Sequence, residues 1–128
     1  HLASIANPPR AFSVAAIIPH WMNRFENGWG SWICTMTKET YSQVKRNAPV
    51  ASLGGISNAM AIRHVAAYAY YDTEEELADV ARKAMFTHRS EEALSGGEFF
   101  SRVTYRVING EKPADAIENV AVGMSGFI

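Results

Sequence analysis

A single cysteine, Cys34, stands among the 128 residues, so no internal disulfide framework braces the chain. It lies in the apolar stretch Trp32-Ile33-Cys34 with no histidine beside it in sequence. That setting predicts a buried structural thiol, the usual fate of a free cysteine. Aspartate is nearly as scarce, occurring only at Asp72, Asp79 and Asp115. A hard cation such as Mg²⁺ wants several oxygens converging on one point, and no Asp-Asp or Asp-x-Asp run supplies them. A glycosidase-type carboxylate pair can still be assembled by folding, although no spacing selects one. An excess of one charge sign is also missing: 12 Lys and Arg face 13 Asp and Glu, for a net charge of −1. The basic residues are scattered, which excludes the clustered footprint that nucleic-acid phosphates require. Long apolar runs are absent too. The best, Val14 to Ile18, is closed by Pro19, far short of the ~18 residues of a membrane span. No basic start, apolar middle and small-residue cleavage site marks a signal peptide. These absences predict a soluble chain with no membrane span, an intracellular compartment (cytoplasm or an organelle matrix) being favoured. The chain begins with His1 rather than methionine, and the expectation is that more sequence precedes it.

What is present is helical. Ser57 to Tyr71 is apolar almost throughout, the pattern of a central helix buried on all sides. Thr73-Glu74-Glu75-Glu76 matches a capping box. Leu77, Val80, Ala81, Ala84 and Met85 then recur at helical spacing, with His88 three residues further on the same face. Ser90 reads as the next N-cap, with Glu91 and Glu92 in the first turn, where the helix dipole favours anions. The stripe of that helix runs through Ala93, Leu94, Gly97, Phe100, Val103, Thr104, Val107 and Ile108, and Asn109-Gly110 ends it. Pro113 suits the first position of a last helix, whose stripe is Ala116, Ile117, Val120, Ala121 and Met124. Thr37 to Asn47 predicts a short helix, with Lys45-Arg46 at its C-terminus. Asn7-Pro8-Pro9 is a loop and Asn27-Gly28-Trp29-Gly30 a turn. No useful strand alternation appears. The predicted organisation is an N-terminal extension or irregular segment over residues 1–26 and an all-α domain over 27–128.

Two places carry candidate chemistry. Gly54-Gly55-Ile56-Ser57-Asn58 feeds the start of the buried helix, and a Gly-rich approach to a helix N-terminus is a generic anion site. Plain capping by Ser57 or Asn58 explains it equally well, and it matches neither G-x-G-x-x-G nor a phosphate-loop pattern. Thr87-His88-Arg89 sits between two helices, where His88 can bond either a ligand or the last helical carbonyls. His20 and His64 share no metal-ligand spacing and are assigned structural roles.

Three features in order resemble the ADP-ribosylglycohydrolases, a family that includes the J1 crystallins. Asn27-Gly28-Trp29-Gly30 is similar to their Arg-Gly-Tyr-Gly turn. Ser57-Asn58-Ala59-Met60-Ala61-Ile62-Arg63 is similar to their Gly-Asn-Ala-Ser-Ala-Met-Arg signature. Phe86-Thr87-His88, followed by Glu92-Ala93 and Gly96, resembles their Thr-His motif. The resemblance covers about Asn27 to Ala121 and implies an all-α orthogonal bundle, here truncated at both ends. It implies that Gly55, Ile56, Ser57 and Asn58 line the diphosphate of ADP-ribose, with His88 at the ribose or phosphate and Arg63 a buried structural residue. The family holds two Mg²⁺ ions through a Thr-Asp-Asp segment and an Asp-x-Asp-Thr segment, and neither occurs in these 128 residues. The signature's leading glycine is Ser57, and the proline after its arginine is replaced by His64-Val65-Ala66-Ala67. The expectation is therefore a non-catalytic structural or interaction subunit, a pseudoenzyme with no cofactor and no metal ligands of its own. Its partner is another protein chain or the missing remainder of the fold. The alternative is a fragment of an active Mg²⁺-dependent hydrolase that cleaves an ADP-ribose glycosidic bond.

Overall fold

The computed structural model describes residues 12–28, 33–56 and 67–124. Among them lie five α-helices and no strand: α1 Val14–Glu26, α2 Thr35–Lys45, α3 Glu74–Ala84, α4 Glu91–Ile108 and α5 Pro113–Gly123, with a 3-10 turn at Val50–Ser52. The all-α expectation holds at that level. No helix among the described residues is long and apolar enough to cross a membrane.

Of the stretch 1–26, residues 12–26 are described, and most of them form α1. Ser13 caps α1 by accepting the Ala16 N–H at 3.4 Å, and the helix runs on through Pro19. Proline removes one helical donor, but Ile17 and Trp21 are 1% and 0% exposed on the inner face. Their burial, roughly 1.5–3 kcal/mol for a large apolar side chain, offsets the missing bond. Pro19 closes the apolar run without ending the helix. The Trp21 ring meets Phe86 edge-on with centroids 5.3 Å apart, and Phe25 stacks on Tyr41 of α2 at 4.3 Å. Glu26 receives the Tyr41 hydroxyl at 3.1 Å and Lys45 at 2.8 Å, so α1 and α2 are pinned at their ends. One cluster including Phe12, Ile17, Trp21, Tyr71, Leu77 and Phe86 forms the main core.

The helical half follows its sequence signals closely. Thr73 accepts the Glu76 N–H at 3.2 Å. The Glu76 carboxylate reaches back to the Asp72 N–H at 3.4 Å, one residue before the position a capping box uses. Leu77, Val80, Ala81, Ala84 and Met85 are all buried. Ser90 caps α4 by accepting the Ala93 N–H at 3.1 Å, and Pro113 stands in the first turn of α5. After α4, Gly110 adopts φ +99°, the left-handed turn that glycine tolerates best.

The stripes of α4 and α5 are narrower than expected. Ala93 and Gly97 are buried, but the contact surface is completed by Ser95 and Ser101, while Phe100 and Ile108 stay 48% and 65% exposed. Small residues four apart let α3 approach closely, and bulky side chains are turned outward. On α5, Ala116, Val120 and Met124 are buried and Ile117 is 49% exposed. Charge completes the α3–α4 seam. Arg102 bonds Glu74, Glu75 and Glu98 at 2.7–3.1 Å, and Arg82 bonds Glu91 and Glu98. The central helix expected over 57–71 lies mostly outside the described residues. Its end is a 3-10 turn at 67–69, with Ala67 and Tyr71 buried.

Candidate functional site

The two stretches singled out by sequence meet in space. The Gly55 N–H donates to the Thr87 carbonyl at 3.1 Å and the Gly55 carbonyl accepts the Arg89 N–H. Together these bonds make a parallel bridge between Gly55 and His88. Arg89 clasps the preceding turn from its other end, donating to the carbonyls of Val50 and Ala51. Gln43 of α2 accepts the Gly54 N–H at 2.8 Å. The segment 50–55 is thereby seated on the linker between α3 and α4.

Glycine is required at Gly54. Its φ is +97°, and a Cβ there would stand 2.7 Å from the Phe86 carbonyl oxygen. At Gly55 a Cβ would overlap the Met36 sulfur instead. Ile56 leaves the bridge and is 86% exposed. Ser57, Asn58, Arg63 and His64 lie outside the described residues. The Gly54 and Gly55 amides are taken up by Gln43 and Thr87.

His88 is completely buried. Its Nδ1 lies 2.7 Å from Thr87 Oγ1, and its Nε2 lies 3.7 Å from Cys34 Sγ. The residues adjacent to Cys34 in sequence carry no histidine; folding supplies one from 54 residues away. Cys34 is half-buried rather than buried. It occupies the N-cap of α2, with Thr37 Oγ1 at 2.9 Å from its sulfur. The Cys34 signal was missed because it is non-local: neither the spacing nor the composition around Cys34 encodes the approach of the α3–α4 linker. His20, assigned a structural role, is exposed on α1.

The second concentration of polar groups is a cleft of about 440 Å³ between α3, α4 and α5, lined by Glu74, Glu98, Arg82, Arg102 and Arg106 among others. Its charges are matched. The Arg102 hydrogen bond holds the Glu75 carboxyl below the ordinary carboxylate range. Hydrogen bonding to Glu75, opposed by desolvation, pushes the Arg102 guanidinium further up. Arg82 likewise holds Glu91 down. This is an ion-pair seam that fastens two helices. Among the described residues no three His, Cys, Asp or Glu side chains converge as a metal site. No protein-family model, curated protein or solved structure matches the chain.

Proposed function

We propose that the chain is a non-catalytic binding and interaction portion of an ADP-ribosylglycohydrolase-type bundle, taking ADP-ribose at residues 55–58. The observation that carries this reading is the bridge between Gly55 and His88. The Gly-rich segment that leads into one signature stretch is bonded to the Thr-His motif 33 residues further on, which is what supports a shared ligand site. In this reading Ile56, Ser57 and Asn58 face the diphosphate. His88, its ring buried, has the role of anchoring Gly55 through the backbone bridge instead of touching the ribose. A helix start after Ile56, as the sequence leads one to expect, would favour the diphosphate through its amides and dipole.

The described residues do not fit Mg²⁺. Asp79 is paired with Lys83 at 2.7 Å, and Glu74 and Glu98 are held by arginines. Metal ligands would have to come from outside them, and no hydrolytic step is assigned to this chain. The interaction half of the reading rests on apolar surface. Ile56, Ile108 and Val122 are 86%, 65% and 76% exposed, and apolar surface of this kind calls for a covering partner when it is contiguous.

Calorimetry of the chain with ADP-ribose, with and without Mg²⁺, tests the proposal. The expected result is saturable binding of equal strength in both. No heat at millimolar ADP-ribose overturns it. Mg²⁺-dependent release of ADP-ribose from a modified substrate would replace it with the hydrolase reading.

A further inference from the structure

We propose that Cys34 is a nucleophilic modification site, with His88 as the base that takes its proton and Thr87 as the residue that orients the base. This rests on thiol–imidazole geometry alone and is independent of the ADP-ribose reading.

Three parts are needed for an activated nucleophile: the nucleophile, a base within reach, and a group that orients the base. The nucleophile is Cys34, half-buried at the N-cap of α2. The base is His88, whose Nε2 lies 3.7 Å from Sγ on the inner side and which is itself fully buried. The orienting group is Thr87, with Oγ1 2.7 Å from Nδ1. An imidazole accepts a proton at Nε2 only when Nδ1 carries its hydrogen. The orienting role given to Thr87 is the one in which Oγ1 accepts from Nδ1–H, which leaves Nε2 to take the thiol proton. The peptide bridge to Gly55 fixes the His88 backbone, so the pair is held and does not form by chance rotation.

Cys34 stands at the N-cap of α2, the positive end of that helix's dipole, although its side chain makes no cap hydrogen bond. The Thr37 hydroxyl, 2.9 Å away, can donate to a thiolate. The substrate class is a small, uncharged, soft carbon electrophile bearing a leaving group. An S–C bond forms, and the bond to the leaving group breaks with its electron pair going to that group. The thiol proton passes to His88 Nε2.

The test is alkylation of the folded chain by iodoacetamide at pH 7, followed by intact mass spectrometry. Cys34 is the sole cysteine, so the label reports one site, and Cys34→Ser supplies the blank. The expected rate exceeds that of the urea-unfolded chain by about tenfold, from a base positioned to take the thiol proton. Thr87→Val should lose most of that gain, and Thr87→Ser should restore it, which a merely structural role would not do. His88→Gln should also lose it; should that variant unfold, the threonine pair and the folded-to-unfolded ratio still decide. A folded-chain rate at or below the unfolded rate overturns the proposal. So does a Thr87→Val rate equal to that of the parent chain.

Discussion

Replacing Gly54 by alanine should destabilise the fold more than replacing Gly55, although the two glycines are adjacent and both sites are crowded. At Gly54 the backbone sits at φ +97°, where a residue with a Cβ carries about 1–3 kcal/mol of strain. The new Cβ would also stand 2.7 Å from the Phe86 carbonyl oxygen, 3.1 Å from Arg89 Cβ and 3.2 Å from the Thr87 carbonyl carbon. The nearest of these is backbone of the α3–α4 linker and cannot swing aside, so overpacking adds about 1–3 kcal/mol. The combined cost is about 2–6 kcal/mol, a large part of the total stability of a domain this size. At Gly55 no positive φ is involved, and the obstacle is the Met36 side chain, which is flexible and half-buried. Gly55→Ala should therefore cost about 1–2 kcal/mol. Trimming the obstacle separates the cases. Combined with Met36→Ala, Gly55→Ala should become nearly free, giving a coupling of about 1 kcal/mol, whereas Gly54→Ala should add to Met36→Ala without coupling. Urea unfolding followed by far-ultraviolet circular dichroism reads all five variants. A Gly54→Ala variant within about 0.5 kcal/mol of the parent, below the penalty range for left-handed sites, refutes the seating of this segment on the α3–α4 linker.

Arg102→Met keeps the stem of the side chain but takes one of two arginine partners from each of Glu74 and Glu98, which Arg106 and Arg82 still hold and whose side chains are 20% and 19% exposed. The loss should be about 1–3 kcal/mol by chemical denaturation, between the values for exposed and buried pairs, and an unchanged midpoint would argue against the α3–α4 seam. Glu75 and Glu91 have folded-state carboxyls held below the ordinary value of 4.5 by hydrogen bonds from Arg102 and Arg82 respectively. Their contribution is complete above that value and is lost as pH falls below it, so thermal midpoints should decline below about pH 4.5 in the parent chain and decline less in Arg102→Met. Thr73→Ala removes the hydroxyl that caps α3 and should cost about 1 kcal/mol in the same unfolding assay; Thr73→Ser should cost far less.

The α3–α4–α5 half was legible in the sequence because its determinants are local. Thr73, Ser90 and Pro113 act within one helical turn, and the α3 stripe from Leu77 to Met85 repeats at the helical period. The wider stripes expected of α4 and α5 failed where period alone cannot say how wide the covering neighbour is. Phe100, Ile108 and Ile117 keep the spacing of a core face, yet the residues of α4 that are buried are the small ones, Ala93, Ser95, Gly97 and Ser101. Pro19 stands inside α1, where the burial of Ile17 and Trp21 offsets the helical donor that proline lacks.

The scarcity of cysteine and aspartate was readable from the sequence, and so was the helical class, since both follow from composition and short-range periodicity. Only the tertiary structure decided what the one cysteine faces. Cys34 reads as inert because nothing near it in the chain can take its proton. His88 comes to it through a loop closure spanning 54 residues, fixed by the bridge between Gly55 and the α3–α4 linker. Long-range contacts of that kind depend on how helices pack, and packing is a property of the assembled core rather than of any local run of residues.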